Sequence, residues 1–413
     1  MGDSATIEIV PPSVPVTAEV SIPGSKSLTN RALILAALSD GEIVLNGALW
    51  SEDTEVMSEC LRKLQIPITI HPDPGEPANR TITVRGTCGS IARGGTVEAP
   101  LELFVGNAGT AARFLAALVC LGQGVYRLSG VARMHERPQA ALFRALRDLG
   151  YRIDSPNDRL PALIHGSGPR EGAKCRVGID QSSQFASALL LVGPRGGWEV
   201  IVEGNDSEAA PYAEMTRGLV KAFPPRGAFP IEPDASSASY FWGAGWLLGS
   251  SSRIRVANWM AHSVQIDARF PEYLRIFPER TSRRYDLGDS IMSAIVLAPF
   301  ADVPKLFVDL ETLRLQECER VQALHTELSK CGARVVENGQ TLRIEPGPLH
   351  GATIETYGDH RMAMCFAMLG LRVPGMRIRN PACVKKTFPN FFEKLATAPP
   401  EGLGVELRAP TAA

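Results

Sequence analysis

One pattern recurs six times along this chain: a turn of small residues, then a Ser, Thr, Asp or Asn, then an apolar helix rich in alanine. The repeats begin at Pro23, Gly106, Gln181, Pro233, Leu287 and Tyr357. They lie about 50 to 80 residues apart, which is too far for a short solenoid repeat. Any α/β protein contains a few capped, alanine-rich helices, but six of one style predict a chain built from repeated α/β units.

The start of each of these helices is suited to bind an anion. The first turn of a helix has backbone N–H groups without a partner inside the helix, and it carries the positive end of the helix dipole. Glycine lets a ligand approach the backbone closely, and Ser or Thr adds a hydroxyl donor. If several helix starts face one site, that site attracts a polyanionic ligand. This holds although the chain has 43 Lys and Arg against 44 Asp and Glu.

A second kind of helix is expected between the repeats. Residues 53–64, 139–149 and 318–331 alternate apolar and charged positions with helical spacing, which predicts surface helices. Residues 81–84 and 198–202 are rich in β-branched residues and predict strands. Each repeated unit is therefore expected to be a small α/β sandwich whose first helix is buried and whose second helix faces solvent.

Composition excludes several classes of protein. A hydrophobic fraction of 45% and a charged fraction of 21% are typical of a folded domain, and a net charge of -1 argues against a nucleic-acid binder. The eight cysteines include no C-x-x-C pair, so neither a zinc site nor a disulfide framework is indicated. No apolar run is long enough for a membrane span, and the first residues lack the features of a secretory signal. We therefore expect a cytoplasmic protein with no metal ion and no cofactor.

Several segments together resemble one known family. PGSKSLTNRA, GNAGTAARF, MHERP, SSQF, DASSASYF, DHRMAM and KTFP occur in an order similar to that of 5-enolpyruvylshikimate-3-phosphate (EPSP) synthase and, more widely, the enolpyruvyl transferases. The resemblance extends from about residue 16 to about residue 395. Enolpyruvyl transferases of cell-wall synthesis carry a cysteine in a mobile loop, whereas the corresponding segment here, GVARMHERPQAAL, has none. The chain is therefore more similar to the shikimate branch.

The resemblance implies a fold and a domain arrangement. The fold is a two-domain α/β architecture, an inside-out α/β barrel in which each domain has three βαβαββ units around buried parallel helices. Residues 1–24 together with 233–413 are expected to form one domain, and residues 25–232 the other. The active site is expected in the cleft between the two domains, which would close on the substrates.

The resemblance also implies a phosphoenolpyruvate site. The residues that would surround its phosphate group are Lys26, Gly109, Arg137, Gln184 and Lys386. Arg320 and Arg361 would hold its carboxylate, because guanidinium groups match planar oxyanions with two parallel hydrogen bonds. A lone Arg or Lys is usually a solvated surface charge. Lys26 and Arg361 lie inside apolar helix starts, however, where an unpaired charge would be costly.

The reaction implied by the family is addition followed by elimination. A hydroxyl group of the acceptor attacks C2 of phosphoenolpyruvate while C3 takes a proton, and loss of phosphate then leaves an enol ether. This chemistry requires a base beside the acceptor and a second acid–base group beside C3. By resemblance, Asp289 is the base, Glu317 exchanges the proton at C3, and Lys26 assists the departure of phosphate. From its position alone, Asp289 could equally be a helix cap.

The acceptor side of the site departs from the family pattern. Residues that would face the acceptor are Ser27, Arg31, Ser182, Ser183, Tyr212, Asp289, Thr312 and Gln316. Family members acting on shikimate 3-phosphate have a lysine where this chain has Gln316, an asparagine at Thr312 and a serine at Ala209. Losing one cation and one hydroxyl forfeits about 1.5–3 kcal/mol for each charge-assisted hydrogen bond, on the order of a hundredfold in affinity together.

These departures lead to a hypothesis and its alternatives. We expect a monomeric enolpyruvyl transferase that uses phosphoenolpyruvate and a small hydroxylated acceptor other than ordinary shikimate 3-phosphate. The acceptor could be an unphosphorylated or differently phosphorylated cyclic alcohol, or a nucleoside phosphate of specialised metabolism. The alternatives are a true EPSP synthase with an unusual phosphate pocket, a lyase or dehydratase that acts on a shikimate-like ring, and a non-catalytic binding protein.

Overall fold

The computed structural model describes residues 5–204, 210–257, 259–260 and 262–409. Its strands are β1 (Thr6–Val10), β2 (Thr17–Val20), β3 (Glu42–Leu49), β4 (Ile68–Pro72), β5 (Asn79–Arg85), β6 (Leu101–Phe104), β7 (Gln123–Ser129), β8 (Arg152–Asp154), β9 (Ala162–Ser167), β10 (Lys174–Gly178), β11 (Glu199–Glu203), β12 (Gly227–Pro230), β13 (Arg253–Val256), β14 (Arg280–Ser282), β15 (Lys305–Val308), β16 (Arg334–Asn338), β17 (Thr341–Glu345), β18 (Thr353–Ile354), β19 (Met376–Arg379) and β20 (Glu406–Arg408).

The helices alternate with these strands. They are α1 (Lys26–Leu38), α2 (Glu52–Lys63), α3 (Gly109–Leu118), α4 (Ala132–Glu136), α5 (Ala140–Asp148), α6 (Ser183–Gly196), α7 (Ala210–Ala222), α8 (Ala235–Leu248), α9 (Phe270–Ile276), α10 (Ile291–Leu297), α11 (Arg320–Lys330), α12 (His360–Leu369) and α13 (Phe391–Ala396). Short 3-10 helices occupy Val119–Leu121, Ile266–Arg269, Ala298–Phe300, Glu311–Leu315 and Pro381–Lys386.

The chain divides into two compact units, each with its own hydrophobic core. Gly24–Glu232 form the central unit, and the chain up to Pro23 together with the chain from Pro233 onward forms the terminal unit. The sheets of the central unit have the strand orders β12-β3-β5-β4, β6-β7-β9-β8 and β10-β11. Those of the terminal unit have the orders β14-β15-β17-β16, β18-β19-β1-β20 and β13-β2. Each unit thus contains two four-stranded sheets and one two-stranded sheet in its described residues.

The βαβαββ order is complete in one group of each unit. In the central unit the order is β6, α3, β7, α5, β8 and β9, with the short helix α4 inserted before α5, and in the terminal unit the order is β14, α10, β15, α11, β16 and β17. In both groups the first two strands pair in parallel, as a crossover through a helix requires, and the last two strands form an antiparallel pair. The predicted α/β fold class is confirmed.

The six alanine-rich segments form buried helices, as their pattern predicts: α1, α3, α6, α8, α10 and α12. Every residue of α3, α10 and α12 is buried. Small residues let these helices approach one another closely. A Cβ atom at Gly243 of α8, for example, would lie only 2.4 Å from the Sδ atom of Met368 in α12. Alanine and glycine are therefore required here for packing between helices as well as for helix formation.

The second kind of helix is amphipathic, also as predicted. Helix α5 buries Leu142, Phe143 and Leu146 but leaves its other face in contact with solvent. Helix α11 was expected to begin at residue 318, and the structure corrects that boundary. The side chain of Glu319 accepts a hydrogen bond from the backbone N–H of Gln322, so Glu319 caps the helix and Arg320 is its first residue.

Near each of the two junctions, a strand pairs within one unit and the chain then continues into the other unit. Strand β2 pairs in parallel with β13 in the terminal unit, but the chain continues from β2 into α1 of the central unit. Strand β12 pairs in parallel with β3 in the central unit, but the chain continues from β12 into α8 of the terminal unit. Over the part of the chain that the structure describes, no helix is both long and apolar enough to cross a membrane.

Candidate active site

Charged side chains of the terminal unit meet where three helices begin. Asp289 lies two residues before α10, and Arg320 is the first residue of α11. Asp359 caps α12, because its carboxylate accepts the backbone N–H of Arg361 at 2.8 Å. We call this set the arginine cluster, and its members are Arg283, Arg320, Arg361, Asp289, Glu317 and Asp359.

Arg320 is the most enclosed cation of the arginine cluster, with a side chain that is 1% exposed. Its Nε and Nη2 atoms bind the two carboxylate oxygens of Asp359 at 2.7 and 3.2 Å, and Nη2 also lies 2.9 Å from Oε2 of Glu317. Its Nη1 atom contacts the amide oxygen of Gln316. Burial alone would lower the pKa of Arg320, but Asp359, Glu317 and Asp289 outweigh burial and raise it above its ordinary value.

Asp289 is surrounded by three guanidinium groups. Its Oδ1 atom lies 2.8 Å from Nη2 of Arg283 and 3.9 Å from Nη1 of Arg320. Its Oδ2 atom lies 2.9 Å from Nη2 of Arg361. Burial alone would raise the pKa of Asp289, but Arg361, Arg283 and Arg320 together lower it far below its usual range. The carboxylate is therefore ionised at neutral pH and able to accept a proton only when some of these contacts are released.

Glu317 and Lys386 form the neighbouring part of the site. The Nζ atom of Lys386 lies 3.5 Å from Oε1 of Glu317, and both side chains are at most 10% exposed. Cys318 follows Glu317, and its thiol lies 3.5 Å from Oδ2 of Asp359. Burial and the charge of Asp359 raise the pKa of this thiol above its ordinary value, so it stays protonated and is a poor nucleophile.

The central unit places a second group of cations at helix starts. Lys26, the first residue of α1, forms an ion pair with Asp53 at 3.0 Å. Gly109 begins α3, and a Cβ atom added there would lie 2.8 Å from an Nη atom of Arg137 and 3.1 Å from one of Arg113. The absence of a side chain at Gly109 therefore makes room for two guanidinium groups beside the first turn of α3.

Arg31 lies inside the central unit and is held by neutral groups. Its guanidinium donates to the hydroxyls of Thr216 at 2.7 Å and Ser187 at 2.9 Å, and to the carbonyl of Ser27 at 2.9 Å. Burial lowers its pKa to about 10, with a smaller opposite effect of Tyr212. Among the described residues, no carboxylate acts as a charge partner of Arg31. A buried cation with neutral neighbours is a suitable partner for an anionic ligand.

The start of α6 contributes polar groups to the central unit. Ser182 caps the helix by accepting the backbone N–H of Gln184 at 3.2 Å, and Ser183 is the first helical residue. Tyr212 is tied to the Arg31 network, because its carbonyl accepts a hydrogen bond from the hydroxyl of Thr216 at 2.8 Å.

Comparison with known proteins identifies the family. The family model for EPSP synthase (3-phosphoshikimate 1-carboxyvinyltransferase) matches residues 10–225 and 284–395. The chain belongs to the EPSP synthase family. It is 38% identical to the 3-phosphoshikimate 1-carboxyvinyltransferase of Nostoc sp., covering 94% of this chain and 98% of that one. The protein of that name from Opitutus terrae is also 38% identical, covering 95% and 97%.

Solved structures of EPSP synthase-like proteins share the fold. EPSP synthase from Acinetobacter baumannii superposes with a TM-score of 0.77 at 20% identity, covering 98% of this chain and all of that chain. The enolpyruvyl transferase NikO from Streptomyces tendae superposes with a TM-score of 0.68 at 17% identity, covering 99% of this chain and all of that chain. The predicted two-domain enolpyruvyl transferase fold and the assignment as a transferase are confirmed.

The residues that the sequence singles out fall into two groups, one in each unit. The terminal unit brings together Asp289, Thr312, Gln316, Glu317, Arg320, Arg361 and Lys386 through the contacts of the arginine cluster. The central unit contains Lys26, Ser27, Arg31, Gly109, Arg137, Ser182, Ser183, Gln184 and Tyr212. Ala209, the third departure from the EPSP synthase pattern, lies outside the described residues.

Sequence reasoning missed three charged residues of these groups. Asp359 and Asp53 bind Arg320 and Lys26, and a signal was available for both, since Asp359 lies in the family-like segment DHRMAM and Asp53 lies in the first turn of the predicted helix 53–64. Arg283 binds Asp289 and had no such signal. It adjoins Arg284, and nothing in the sequence distinguishes the buried arginine of this pair from the more exposed one.

No group of three or more His, Cys, Asp or Glu side chains suited to a metal ion occurs among the described residues. The two acidic side chains nearest Asp289 within the arginine cluster, Glu317 and Asp359, are both bound by Arg320. Each carboxylate of the arginine cluster is therefore bound by at least one arginine.

Proposed function

We propose that this family member transfers the enolpyruvyl group of phosphoenolpyruvate to a hydroxyl group of a cyclic acceptor other than ordinary shikimate 3-phosphate. The observation that carries the proposal is the arginine cluster. Two buried guanidinium groups, those of Arg320 and Arg361, meet at the carboxylate of Asp289, at 3.9 and 2.9 Å. Cations gathered in this way at helix starts suit a small ligand with a carboxylate and a phosphate group.

Donor binding is assigned to both units. Arg320 and Arg361 of the terminal unit would hold the donor carboxylate, and Lys386 would contact its phosphate. From the central unit, Lys26, Arg137, Gln184 and the backbone at Gly109 would complete the phosphate site. Arg137 is 8% exposed, so an oxyanion bound to it would be largely shielded from water.

The proposed chemistry divides between two carboxylates. Asp289 takes the proton of the acceptor hydroxyl as the new O–C2 bond forms, and Glu317 gives a proton to C3. In the second step the C2–O bond to phosphate breaks, C3 returns its proton to Glu317, and the proton taken up by Asp289 passes to the phosphate oxygen as inorganic phosphate leaves with the support of Lys26. Arg320 contacts Glu317 at 2.9 Å and approaches Asp289, so the two proton-transfer groups belong to one connected network.

The acceptor is assigned by what the chain keeps and what it lacks. Ser27, Arg31, Ser182, Ser183, Tyr212 and Thr312 would face the acceptor, and the buried Arg31 supports an anionic group on it. Gln316 stands where family members acting on shikimate 3-phosphate have a lysine. The amide oxygen of Gln316 contacts Arg320, so this side chain supplies no cation for an acceptor phosphate. A differently placed or absent phosphate on the acceptor is the simplest match.

A second candidate function is EPSP synthesis itself. It is favoured by the relatives that are named 3-phosphoshikimate 1-carboxyvinyltransferase and are 36–38% identical over nearly the whole chain. A lyase acting on a shikimate-like ring would use the same two carboxylates without a donor. We also propose a monomer located in the cytoplasm, as the family resemblance and the cysteine content suggest.

One experiment separates these functions. The protein is incubated with phosphoenolpyruvate and, in turn, with shikimate 3-phosphate, shikimate and nucleoside monophosphates. Release of inorganic phosphate and the mass of the product are then measured. We expect an enolpyruvyl mass gain with an acceptor other than shikimate 3-phosphate. Turnover of shikimate 3-phosphate at ordinary enzyme rates, with rescue of an aromatic auxotroph, would instead establish EPSP synthase. Product formation without phosphoenolpyruvate would establish a lyase.

A charge substitution tests the acceptor assignment directly. Gln316→Lys restores the cation at this position, and we expect it to raise kcat/KM for shikimate 3-phosphate by about tenfold to a hundredfold. Gln322→Lys adds the same charge at an exposed position of α11 and serves as the matched control. If the two variants behave alike, position 316 does not read the acceptor phosphate.

A further inference from the structure

Arg283 is the one arginine of the arginine cluster that no family assignment covers. It follows β14 directly, and its side chain is 4% exposed. Its Nη2 atom lies 2.8 Å from Oδ1 of Asp289, and its Nη1 atom donates to the hydroxyl of Thr312. The guanidinium group therefore bridges the proposed base and a residue that is proposed to face the acceptor.

The two oxygens of Asp289 have different principal partners. Arg283 binds Oδ1, and Arg361 binds Oδ2 at 2.9 Å. Under the proposed function, Arg361 is also needed by the carboxylate of phosphoenolpyruvate. Asp289 thus occupies part of the proposed donor site and competes with an incoming donor carboxylate for Arg361.

Losing Arg361 would leave Asp289, whose side chain is only 18% exposed, as a largely enclosed anion in need of another partner. An ionised carboxylate without a hydrogen-bonded cation is costly in a buried site. Arg283 meets that need because it binds the other oxygen and is itself anchored by Thr312. With one strong partner instead of two, Asp289 would also become a better proton acceptor at the moment when the donor is present.

We propose that Arg283 is a positioning residue that retains the Asp289 carboxylate beside Thr312 when phosphoenolpyruvate binds Arg361. The proposal rests on the proposed donor site. In this proposal Asp289 competes with the donor carboxylate for Arg361. Arg283 weakens this competition because it binds the other oxygen of Asp289. Arg283 itself does not contact phosphoenolpyruvate.

A double-mutant cycle tests the proposal with phosphoenolpyruvate as the only ligand. Its affinity is measured by titration calorimetry for the unaltered chain, Arg283→Gln, Asp289→Asn and the double variant. We expect Arg283→Gln to weaken binding about tenfold when residue 289 is Asp, and less than about threefold when it is Asn. Asp289→Asn alone should bind phosphoenolpyruvate more tightly than the unaltered chain, because the competing carboxylate is gone.

Two milder variants and a control accompany the cycle. Thr312→Val removes the hydroxyl that anchors Arg283 and should weaken binding about threefold, again only when residue 289 is Asp. Arg283→Lys keeps the charge and should restore most of the affinity, which guards against a folding defect in Arg283→Gln. Arg284→Gln alters the neighbouring arginine, whose guanidinium lies over the ring of Tyr285, and should leave the affinity unchanged.

The outcomes distinguish the inference from the function on which it rests. If Arg283→Gln weakens binding equally with and without the Asp289→Asn substitution, Arg283 contacts the donor and the proposal is wrong. No loss in either background would also overturn it. If the unaltered chain does not bind phosphoenolpyruvate, the donor assignment itself fails and the inference fails with it.

Discussion

At the scale of single residues, Asp289 is expected to lower the free energy of unfolding when the pH becomes acidic. Burial alone would raise the pKa of Asp289, but the three arginines lower it below the unfolded value of about 3.9. The ionised form therefore stabilises the fold above about pH 4, and this contribution is lost as the pH falls towards the folded-state pKa. We expect the free energy of unfolding to fall less steeply below pH 4 in Asp289→Asn than in the unaltered chain, as measured by urea unfolding at several pH values.

The control for this prediction is Asp154, a surface carboxylate. Its pKa is also lowered, first by a hydrogen bond from Arg152, but its side chain is 38% exposed and solvent screens the interaction. Asp154→Asn should therefore leave the acid dependence nearly unchanged. If both substitutions change the pH dependence of the free energy of unfolding equally, the difference expected between the enclosed Asp289 and the exposed Asp154 is wrong.

The loss in free energy of unfolding on replacing Arg320 can be predicted. Replacing it by Met leaves the buried carboxylate of Asp359 and the largely enclosed carboxylate of Glu317 without their main cation. Breaking a buried pair from one side costs about 3–5 kcal/mol. Arg275→Met removes an arginine from an exposed pair with Glu272 and should cost at most about 1 kcal/mol. Urea unfolding of both variants measures the difference, and similar costs would show that the arginine cluster contributes little to folding.

Charge counting from the sequence succeeded in part at this scale. The family-like motifs brought Asp289, Glu317, Arg320 and Arg361 to attention, and the structure places them together. The same reasoning did not find Arg283, which contacts Asp289 and Thr312, because it examined only positions occupied in relatives. Arg283 reaches Thr312 through a bend of the chain after β14, and sequence spacing does not encode that direction.

At the scale of elements, Gly109 leaves room for the guanidinium group of Arg137 beside the first turn of α3. A methyl group there would lie 2.8 Å from a terminal nitrogen of Arg137, which is closer than real contacts allow. The guanidinium is the flexible end of a side chain, so we expect it to move while the helix stays folded. Gly109→Ala should therefore weaken phosphoenolpyruvate binding by about tenfold and change the free energy of unfolding little.

A matched glycine shows whether this effect is local. Gly218 lies within α7, and a Cβ atom there would meet nothing within 4 Å. Gly218→Ala should leave donor affinity unchanged and add up to about 1 kcal/mol of stability, because alanine favours the helix. Calorimetry and urea unfolding test both variants. Equal donor affinity in the two would contradict the steric argument.

The sequence predicted helices better than sheets. The six capped, alanine-rich segments are buried helices because their small residues are needed wherever helices pack closely, as at Gly243. Helix ends were less accurate, since a single cap such as Glu319 decides where α11 begins. The sequence does not predict the two-stranded sheets, β10-β11 and β13-β2, because their size depends on pairing between distant segments.

At the scale of the whole molecule, the terminal unit depends on the first strands of the chain. Strand β1 lies between β19 and β20, and β2 is the partner of β13. Short strands at a remote end carry no local signal for these pairings, so periodicity alone does not predict them. The family resemblance implied an exchange of this kind by assigning the first residues to the C-terminal half.

This pairing predicts which pieces of the chain fold alone. Residues 24–232 contain every strand of their own sheets and should unfold cooperatively in urea as an isolated fragment. Residues 233–409 lack β1 and β2, so β19, β20 and β13 each lose a partner, and this fragment should not unfold cooperatively.

Strand β20 is antiparallel to β1 with Arg408 opposite Glu8, so a short hairpin linker can join residue 409 to residue 5. The rearranged chain 233–409, linker, 5–23 should recover cooperative unfolding. If residues 233–409 alone unfold as cooperatively as this rearranged chain, β1 and β2 are dispensable for the terminal core.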